Sequence, residues 1–183
     1  MKFIETKLNG VVIVEPNVFA DSRGYFFEVY NEAEFVKNGI TNKFVQDNQS
    51  KSSYGVVRGL HCQLGNHAQA KLVRCLHGRV LDVAVDVRKN SPTFGQYVAV
   101  ELSDENKRQL FIPRGLLHGF SVLSDTAVFA YKCDNLYCKE SEYGIRFDDG
   151  DIGIDWRVPP DKIIVSEKDK MVKRLQESIF RTR

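Results

Sequence analysis

The ten residues Arg79-Val80-Leu81-Asp82-Val83-Ala84-Val85-Asp86-Val87-Arg88 carry the pattern that decides the fold. Apolar residues stand at every second position from Leu81 to Val87, and they alternate with a second set that includes Asp82 and Asp86. An alternation with a period of two residues predicts a β-strand, because successive side chains point to opposite faces. The stretch is therefore expected to form a strand with the two carboxylates on the same face.

Similar short runs, separated by turn residues, occur along most of the chain. We predict strands at residues 11–14, 25–29, 44–48, 55–63, 71–76, 79–88, 96–102, 109–112, 118–123 and 127–133. About ten short strands with turns between them predict a β-sandwich or barrel rather than a fold of alternating strands and helices.

Helix is predicted at only two places. Asn31 can cap a short helix, with Glu34 at the capping-box position and Gly39 as its stop. Residues 168–178 are predicted as a second helix from their apolar spacing. The apolar side chains at this end are expected to pack either on the protein's own core or on a neighbouring subunit.

Composition and charge exclude several classes of protein. The 183 residues are enough to bury a core as a single domain, and 26 basic and 24 acidic residues are well mixed along the chain. Without a concentrated basic face, nucleic-acid binding is not expected. No apolar run reaches the length of a membrane span, and the first residues lack the apolar core of a signal peptide. The four cysteines are scattered without a C-x-x-C pair, which predicts reduced thiols, a cytoplasmic location and no zinc site.

Two histidine-containing segments match the outline of a cupin metal site. That outline is G-x5-H-x-H, then a glutamate with six residues between it and a glycine, then P-x-G-x2-H. Gly55 and His61 fit its first part, and Pro113-Arg114-Gly115-Leu116-Leu117-His118 fits its last. We predict a mainly β protein with a cupin-type double-stranded β-helix (jelly-roll) and short peripheral helices. Its single domain would span residues 1–183, with the jelly-roll core at about residues 44–135 and both chain ends packed on it.

The metal ligands themselves are missing from this outline. Gln63 stands where the second histidine belongs, and Lys71 stands where the glutamate belongs, with six residues between it and Gly78. A lysine ammonium group cannot coordinate a metal and repels a cation. His61 and His118 alone fall short of three ligands. We therefore predict neither a metal nor a cofactor. A metal-dependent cupin oxygenase or isomerase is the alternative, because the outline around both histidines is retained.

A histidine and a lysine on neighbouring strands suit proton abstraction next to a ketone. His61 would be the base, and Lys71 would hold the negative charge of the enolate. Tyr131, in an alternating strand, is either an acid on the opposite face of the substrate or an ordinary tyrosine of the barrel wall. Strict alternation puts Arg58 and His61 on opposite faces, so both reach one pocket only if the strand bends at Gly59.

Ordered blocks across nearly the whole chain resemble the dTDP-4-dehydrorhamnose 3,5-epimerases. The matching blocks are residues 22–26, 46–48, 57–61, 71–74, 82–86, 91–95, 112–113, 118–120, 153–156 and 166–169. The resemblance implies a homodimer that inverts C3 and C5 of a dTDP-linked 4-keto-6-deoxyhexose. It makes His61 the base, Asp169 its partner, Lys71 the enolate stabiliser and Tyr131 the acid.

The same resemblance implies a set of substrate contacts: Arg23, Glu28, Gln46, Asp47, Asn48, Arg58, His118, Glu142 and Lys168. The physical interpretation agrees for Arg23 and Arg58, whose guanidinium groups suit a diphosphate. Phe26 or Tyr137 could stack on the base. The alternatives are an enzyme that inverts only C3 or only C5, and a silent sugar-nucleotide binding module.

Overall fold

The structure, a computed structural model, describes residues 1–182. Its strands are β1 (Lys2–Glu5), β2 (Val12–Glu15), β3 (Phe19–Asp21), β4 (Gly24–Phe26), β5 (Gln46–Ser53), β6 (Val57–Gln63), β7 (Lys71–His77), β8 (Arg79–Asp86), β9 (Tyr97–Ser103), β10 (Gln109–Ile112), β11 (Leu116–Val122), β12 (Thr126–Cys133) and β13 (Glu142–Gly144). The α-helices are α1 (Glu32–Lys37), α2 (Glu167–Met171) and α3 (Ile179–Thr182), and short 3-10 turns cover Gly65–His67, Lys139–Ser141, Pro160–Lys162 and Leu175–Glu177.

Two antiparallel sheets form a cupin-type jelly-roll. Sheet I has six strands in the order β1-β2-β10-β7-β12-β5, and sheet II has five in the order β13-β6-β11-β8-β9. Strands β3 and β4 form a separate hairpin. Many neighbours in the sheets are distant in sequence, as jelly-roll connections require. The predicted fold class, with its short peripheral helices, is confirmed.

Strand β8 shows why the core has two parts. Val80 and Ala84 pack between the sheets against Phe129 of sheet I. Leu81 and Val83, on the other face, belong to a second cluster that contains the C-terminal segment. Both faces of β8 are therefore buried, and the face that carries Asp82 points into the space between the sheets. The predicted alternation is confirmed, and it places a carboxylate inside the barrel.

Of the ten predicted strands, the one at 109–112 has its predicted bounds, eight have shifted ends and one is much shorter. The run 25–29 was predicted as one strand, but only Tyr25 and Phe26 are in β4. The strand predicted at 44–48 begins at Gln46 and continues to Ser53. Strands β1, β3 and β13 were not predicted, because runs of three or four residues give little alternation.

The first helix was predicted correctly and the second was not. The Asn31 side chain caps α1 by accepting a hydrogen bond from the Glu34 backbone N–H. At the C-terminal end, α2 stops at Met171 because Val172 is extended, so the helix predicted over 168–178 is wrong. Leu175 and Phe180 pack on the protein's own core, whereas Met171 is exposed.

None of the helices in residues 1–182 is both long and apolar enough to cross a membrane.

Candidate active site

A cavity of about 580 Å³ is lined by residues of both sheets and of the C-terminal segment. The polar residues on its walls are Asn48, Gln49, Ser50, Arg58, His61, Lys71, His118, Tyr131, Ser166, Lys168 and Asp169. Four of these are the residues that sequence reasoning assigned to chemistry. A cavity that concentrates titratable groups in this way is the first candidate for the active site.

A bulge at Gly59 brings Arg58 and His61 to the same cavity. Three positions along β6, from Arg58 to His61, face only two along β11, from Phe120 to His118. Gly59 has a φ of +114°, and a Cβ at this position would lie 2.6 Å from the backbone of Gly119 and of His118. Only glycine fits such a close approach. The predicted bend is confirmed.

His61 is paired with a carboxylate from the far end of the chain. Its Nε2 lies 2.6 Å from Oδ1 of Asp169. Residues before α2 are tied to the strand region, since the Ile164 N–H donates to the Gly55 carbonyl, and Ser166 caps α2 by accepting from the Asp169 N–H. Burial acts to raise the pKa of Asp169, but hydrogen bonds and the nearby His61 bring it below its usual range.

Lys71 and Tyr131 come from sheet I, on the opposite wall. The Lys71 ammonium nitrogen lies 5.7 Å from the centre of the Tyr131 ring. Burial lowers the pKa of Lys71, and nearby acidic groups oppose this. Burial also raises the pKa of Tyr131, which keeps its hydroxyl group protonated at neutral pH. Sheet II thus supplies the histidine, and sheet I the lysine and the tyrosine.

His118 forms a second histidine–aspartate pair, deeper than the first. Its Nε2 lies 2.8 Å from Oδ2 of Asp82, and both side chains are buried. Burial lowers the pKa of His118, although Asp82 opposes the shift. Burial likewise raises the pKa of Asp82, against the attraction of His118 and Lys71.

An adjoining pocket of about 260 Å³ shares Asn48, His61, Lys71 and Tyr131 with the main cavity. Gln46, Tyr137 and Glu142 line its other side. Glu142 accepts hydrogen bonds from the Tyr137 hydroxyl at 2.8 Å and from the Lys168 ammonium at 2.6 Å. These contacts tie α2 to β13 beside the catalytic candidates.

Three predicted substrate contacts do not reach either pocket within one chain. Arg23 and Phe26 lie on the hairpin of β3 and β4, and both side chains are exposed. The Arg23 guanidinium donates to Asp21 at the hairpin tip. Glu28 follows the hairpin, is exposed, and accepts a hydrogen bond from Asn31.

Asp47 also lies apart from the main cavity, although its neighbours line the two pockets. Alternation along β5 sends Gln46 and Asn48 inward and Asp47 outward. The Asp47 carboxylate accepts hydrogen bonds from the Lys132 ammonium at 2.9 and 3.0 Å on the outer face of sheet I. The structure therefore gives Asp47 a surface ion pair.

Sequence reasoning gave no role at the site to three polar residues that lie next to it. Asp82 supports His118, and Ser52 accepts a hydrogen bond from Arg58 Nε at 3.1 Å. Gln63 accepts one from the Cys138 N–H. For Asp82 a signal was present, because a carboxylate in the middle of a strand with apolar neighbours on both sides is rarely solvated. For Ser52 no such signal exists.

The metal-ligating side chains of this region are arranged in pairs. Each histidine has one aspartate, and Lys71 stands beside them. Within residues 1–182, no three His, Cys, Asp or Glu side chains come together as a set that could hold a metal ion. The site is thus built from single acid–base groups.

A family model described as dTDP-4-dehydrorhamnose 3,5-epimerase matches residues 5–177 of this chain. The protein of that name from Methanothermobacter thermautotrophicus is 53% identical over 178 residues, which cover 97% of this chain and 96% of the relative. The Escherichia coli protein of the same name is 51% identical over 180 residues, or 98% of this chain and 97% of the relative.

Solved structures are similar over the same length. The dTDP-4-dehydrorhamnose 3,5-epimerase from Elizabethkingia anophelis has a TM-score of 0.94 and 57% identity, and the match covers 97% of this chain and 98% of that one. A Legionella pneumophila 3,5-epimerase in complex with dTDP-4-keto-L-rhamnose has a TM-score of 0.92 and 47% identity, with coverage of 96% and 93%.

Proposed function

This chain belongs to the dTDP-4-dehydrorhamnose 3,5-epimerase family, and on that premise we propose how its site inverts two carbons of a nucleotide sugar. The enzyme converts dTDP-4-dehydro-6-deoxy-D-glucose into dTDP-4-dehydro-L-rhamnose. Both C3 and C5 are adjacent to the C4 ketone, so one set of groups can act on each carbon in turn. The reaction is an isomerisation, and in our proposal it needs no metal or cofactor.

The observation that carries the proposal is the placement of base and acid on opposite walls. His61 is on sheet II and Tyr131 is on sheet I, and both line the same cavity. A sugar ring between them presents one face to each. Removal of a proton on one side and its replacement from the other side inverts the carbon.

His61 is the proposed base, and Asp169 holds it ready. A carboxylate at Nε2 accepts the ring proton there, which leaves the lone pair of Nδ1 for the proton at C3 or C5. Once His61 has taken up that proton, the charge of Asp169 stabilises the imidazolium. The low pKa of Asp169 fits this role, since its carboxylate remains ionised at neutral pH.

Lys71 and Tyr131 complete the proposed cycle. Loss of the α-proton leaves an enolate whose negative oxygen was the C4 ketone, and the Lys71 ammonium group, which lines the cavity and is partly buried, stabilises that charge. Tyr131, protonated because of its burial, then donates its hydroxyl proton to the carbon. Exchange with solvent returns a proton to Tyr131 and removes one from His61 before the second carbon reacts.

The remaining polar groups of the two pockets are proposed to bind the nucleotide sugar. Arg58, held by Ser52, offers paired donors for a diphosphate oxygen. Gln46, Asn48 and His118 offer hydrogen bonds along the walls, and Tyr137 can stack on the base beside Glu142 and Lys168.

Deuterium labelling tests the function. Turnover in deuterated water, followed by mass spectrometry and NMR of the sugar, is expected to place one deuterium at C3 and one at C5. Label at one carbon would make the protein a mono-epimerase. No label at either carbon, together with tight dTDP binding, would make it a binding module, and activity lost on metal chelation would revive the metal-dependent cupin.

We further propose a homodimer in which the hairpin of one chain completes the site of the other. Arg23, Phe26 and Glu28 are exposed and lie outside their own chain's pockets. They can contact substrate only in a second copy. The hairpin also exposes Phe19 and Tyr25, and such a group of exposed aromatic side chains is typical of an interface.

A mixture of two inactive variants tests this arrangement. Arg23→Ala and His61→Ala protomers, each inactive alone, are unfolded and refolded together. A mixed dimer contains one site with both an intact His61 and an intact hairpin, so roughly a quarter of the wild-type activity is expected to return. If the mixture is shown to contain mixed dimers and no activity returns, the hairpin acts at the site of its own chain.

The organisation and location of the chain complete the proposal. We propose that residues 1–183 act as one epimerase domain, which the match over residues 5–177 supports. We also propose a cytoplasmic location. Its support is the scattered cysteines, because thiols remain reduced in that compartment.

A further inference from the structure

Two buried side-chain atoms in residues 1–182 have no hydrogen-bond partner: Nε2 of Gln63 and Oδ1 of Asp82. Both residues adjoin the candidate active site. A buried polar atom without a partner is costly, and native proteins keep few of them outside sites with a function. Asp82 stands out because it is a carboxylate with no exposed surface.

Asp82 does not line the cavity, so it does not touch the substrate. Its Oδ2 is used by His118, at 2.8 Å, while Oδ1 has no partner. Lys71, whose side chain does line the cavity, attracts the same carboxylate across the space between the sheets. The buried carboxylate therefore lies behind two groups of the cavity wall.

We propose that Asp82 is a positioning residue for the reaction: its carboxylate keeps Lys71 in the ammonium form and holds His118 in place beside it. The proposal rests on the function proposed above, in which Lys71 stabilises the enolate. It adds a residue that acts only through these two neighbours. An amine that lost its proton could not stabilise the enolate, so the charge of Lys71 decides whether the step proceeds.

The surroundings of Lys71 explain why a carboxylate is needed there. The groups that face it are His61 and Cys62 on β6, Asp82 on β8, His118 on β11, Tyr131 and Cys133 on β12, and Glu142 on β13. Burial raises the pKa of Cys133 and keeps that thiol neutral. Glu142 is already engaged by Lys168 and Tyr137. Among these groups, Asp82 is therefore the buried carboxylate that has an oxygen atom without a hydrogen-bond partner.

The surroundings of Asp82 lead to the same conclusion. His118, Lys71 and the Cys75 thiol face it, and the pKa of Cys75 is raised to about 12, so this thiol carries no charge at neutral pH. Burial also lowers the pKa of His118, which favours the neutral ring. A neutral histidine cannot balance a carboxylate, so Lys71 and Asp82 hold their charges together and titrate as a coupled pair.

The test is Asp82→Asn, which keeps the shape and removes the charge. The alkaline limb of kcat against pH, where Lys71 loses its proton, is expected to move to lower pH by about one unit or more. At neutral pH kcat is expected to fall roughly tenfold or more, and KM is expected to rise by a smaller factor because His118, a proposed substrate contact, loses its charged partner. An unchanged alkaline limb would overturn the proposal.

Asp86→Asn is the matched control. Asp86 lies on the same strand and face, is also buried, and is engaged by Arg88, Ser91 and Thr93 outside the cavity. Its substitution is expected to lower the melting temperature and leave the alkaline limb in place. If Asp86→Asn moves the limb as far as Asp82→Asn does, the effect comes from general loss of stability and the proposal fails.

A measurement without turnover separates this proposal from the proposed function. The ¹³Cε resonance of Lys71, assigned with Lys71→Arg, reports its protonation in the free enzyme. We expect its titration to move to lower pH in Asp82→Asn. If Asp82→Asn does not fold, the wild-type ¹³Cγ resonance of Asp82 is followed instead, and it is expected to change in step with Lys71. Independent titrations would overturn the proposal, whether or not deuterium enters the sugar.

Discussion

The two histidine–aspartate pairs, whose histidines both lie on sheet II, have nearly the same distance between nitrogen and oxygen and very different surroundings. His61 and Asp169 are 2.6 Å apart with 27% of the His61 side chain exposed, whereas His118 and Asp82 are 2.8 Å apart with 8% of the His118 side chain exposed. The first pair joins a strand to the C-terminal segment, and the second joins neighbouring strands. The two pairs therefore differ in solvent exposure more than in distance. The more exposed His61 pair can exchange protons with substrate and solvent, whereas the buried His118 pair keeps a carboxylate next to Lys71.

The pKa values of the two aspartates shift in opposite directions for the same reason. Both are affected by burial, which disfavours a charged carboxylate. Hydrogen bonds and the nearby His61 outweigh burial at Asp169, so its pKa is lowered. Burial outweighs the attraction of His118 and Lys71 at Asp82, so its pKa is raised. One pair stabilises the folded chain at neutral pH, and the other carries an electrostatic cost there.

The largest expected effect comes from a substitution in the more exposed pair of His61 and Asp169. His61→Ala removes the base, so we expect deuterium exchange at C3 and C5 to slow about a thousandfold. The measurement is the initial rate of label incorporation at each carbon. The dissociation constant for dTDP is the control and should stay within about threefold, since His61 is not proposed to bind the nucleotide. Wild-type exchange in this variant would rule out His61 as the base.

The next largest effect is expected at Gly59, in the bulge where β6, which carries His61, packs against β11, which carries His118. Gly59→Ala would introduce a Cβ 2.6 Å from the backbone of Gly119 and of His118, at a residue with positive φ. We expect the free energy of unfolding to fall by about 3 kcal/mol from strain and overpacking. Urea titration measures this loss. Gly150→Ala is the control, because nothing lies within 4 Å of the added Cβ. Equal losses in the two variants would contradict the role of the bulge.

Opposite dependences of stability on pH sharpen the comparison between the two aspartates. The lowered pKa of Asp169 means that its contribution to stability is present above its unfolded pKa and is lost as pH falls through the folded pKa. The raised pKa of Asp82 means that its cost is full above the folded pKa and is relieved as pH falls. Relative to the wild type, Asp169→Asn should therefore lose stability as pH rises to about 4, the unfolded pKa of aspartate, whereas Asp82→Asn should gain stability as pH rises above about 4. Parallel slopes in urea unfolding would contradict the assignment.

The smallest expected effect concerns a third, exposed pair. Asp47 is bound to Lys132 on the outer face of sheet I, and 69% of its side chain is exposed. Asp47→Asn should change the free energy of unfolding by less than about 1 kcal/mol. It should leave kcat and KM unchanged, because Asp47 lies outside the cavity. Steady-state kinetics and thermal melting check this. A tenfold rise in KM would show that Asp47 contacts substrate from the outer face.

The residues that sequence could place are those whose position follows from strand alternation. His61, Lys71 and Tyr131 were predicted on separate strands, and the jelly-roll outline around Gly55 and Pro113 was sufficient to bring the first two near His118. The bend at Gly59 was also predictable, because alternation alone would have separated Arg58 from His61. These are short-range arguments, and the structure confirms them.

What sequence could not place depends on contacts between distant parts of the chain. Asp169 reaches His61 across 108 positions, and only the family resemblance connected them. The helix predicted through Leu175 is interrupted because Val172 extends to bring the last residues onto the core. Arg23 and Phe26 were predicted as substrate contacts, but their hairpin leaves the pockets of its own chain. Asp82 was visible in the alternation, yet only the packing of sheet I over sheet II shows that it is buried.

The central claim is that the base His61 and the acid Tyr131 act from opposite walls of the cavity. Turnover of Tyr131→Phe in deuterated water tests this claim most directly. His61 should still remove the α-protons in this variant and return solvent deuterium from the same side. We therefore expect label to enter the sugar while inversion at C5 slows by about a hundredfold. Inversion at the wild-type rate would show that the acid lies elsewhere and would contradict the account.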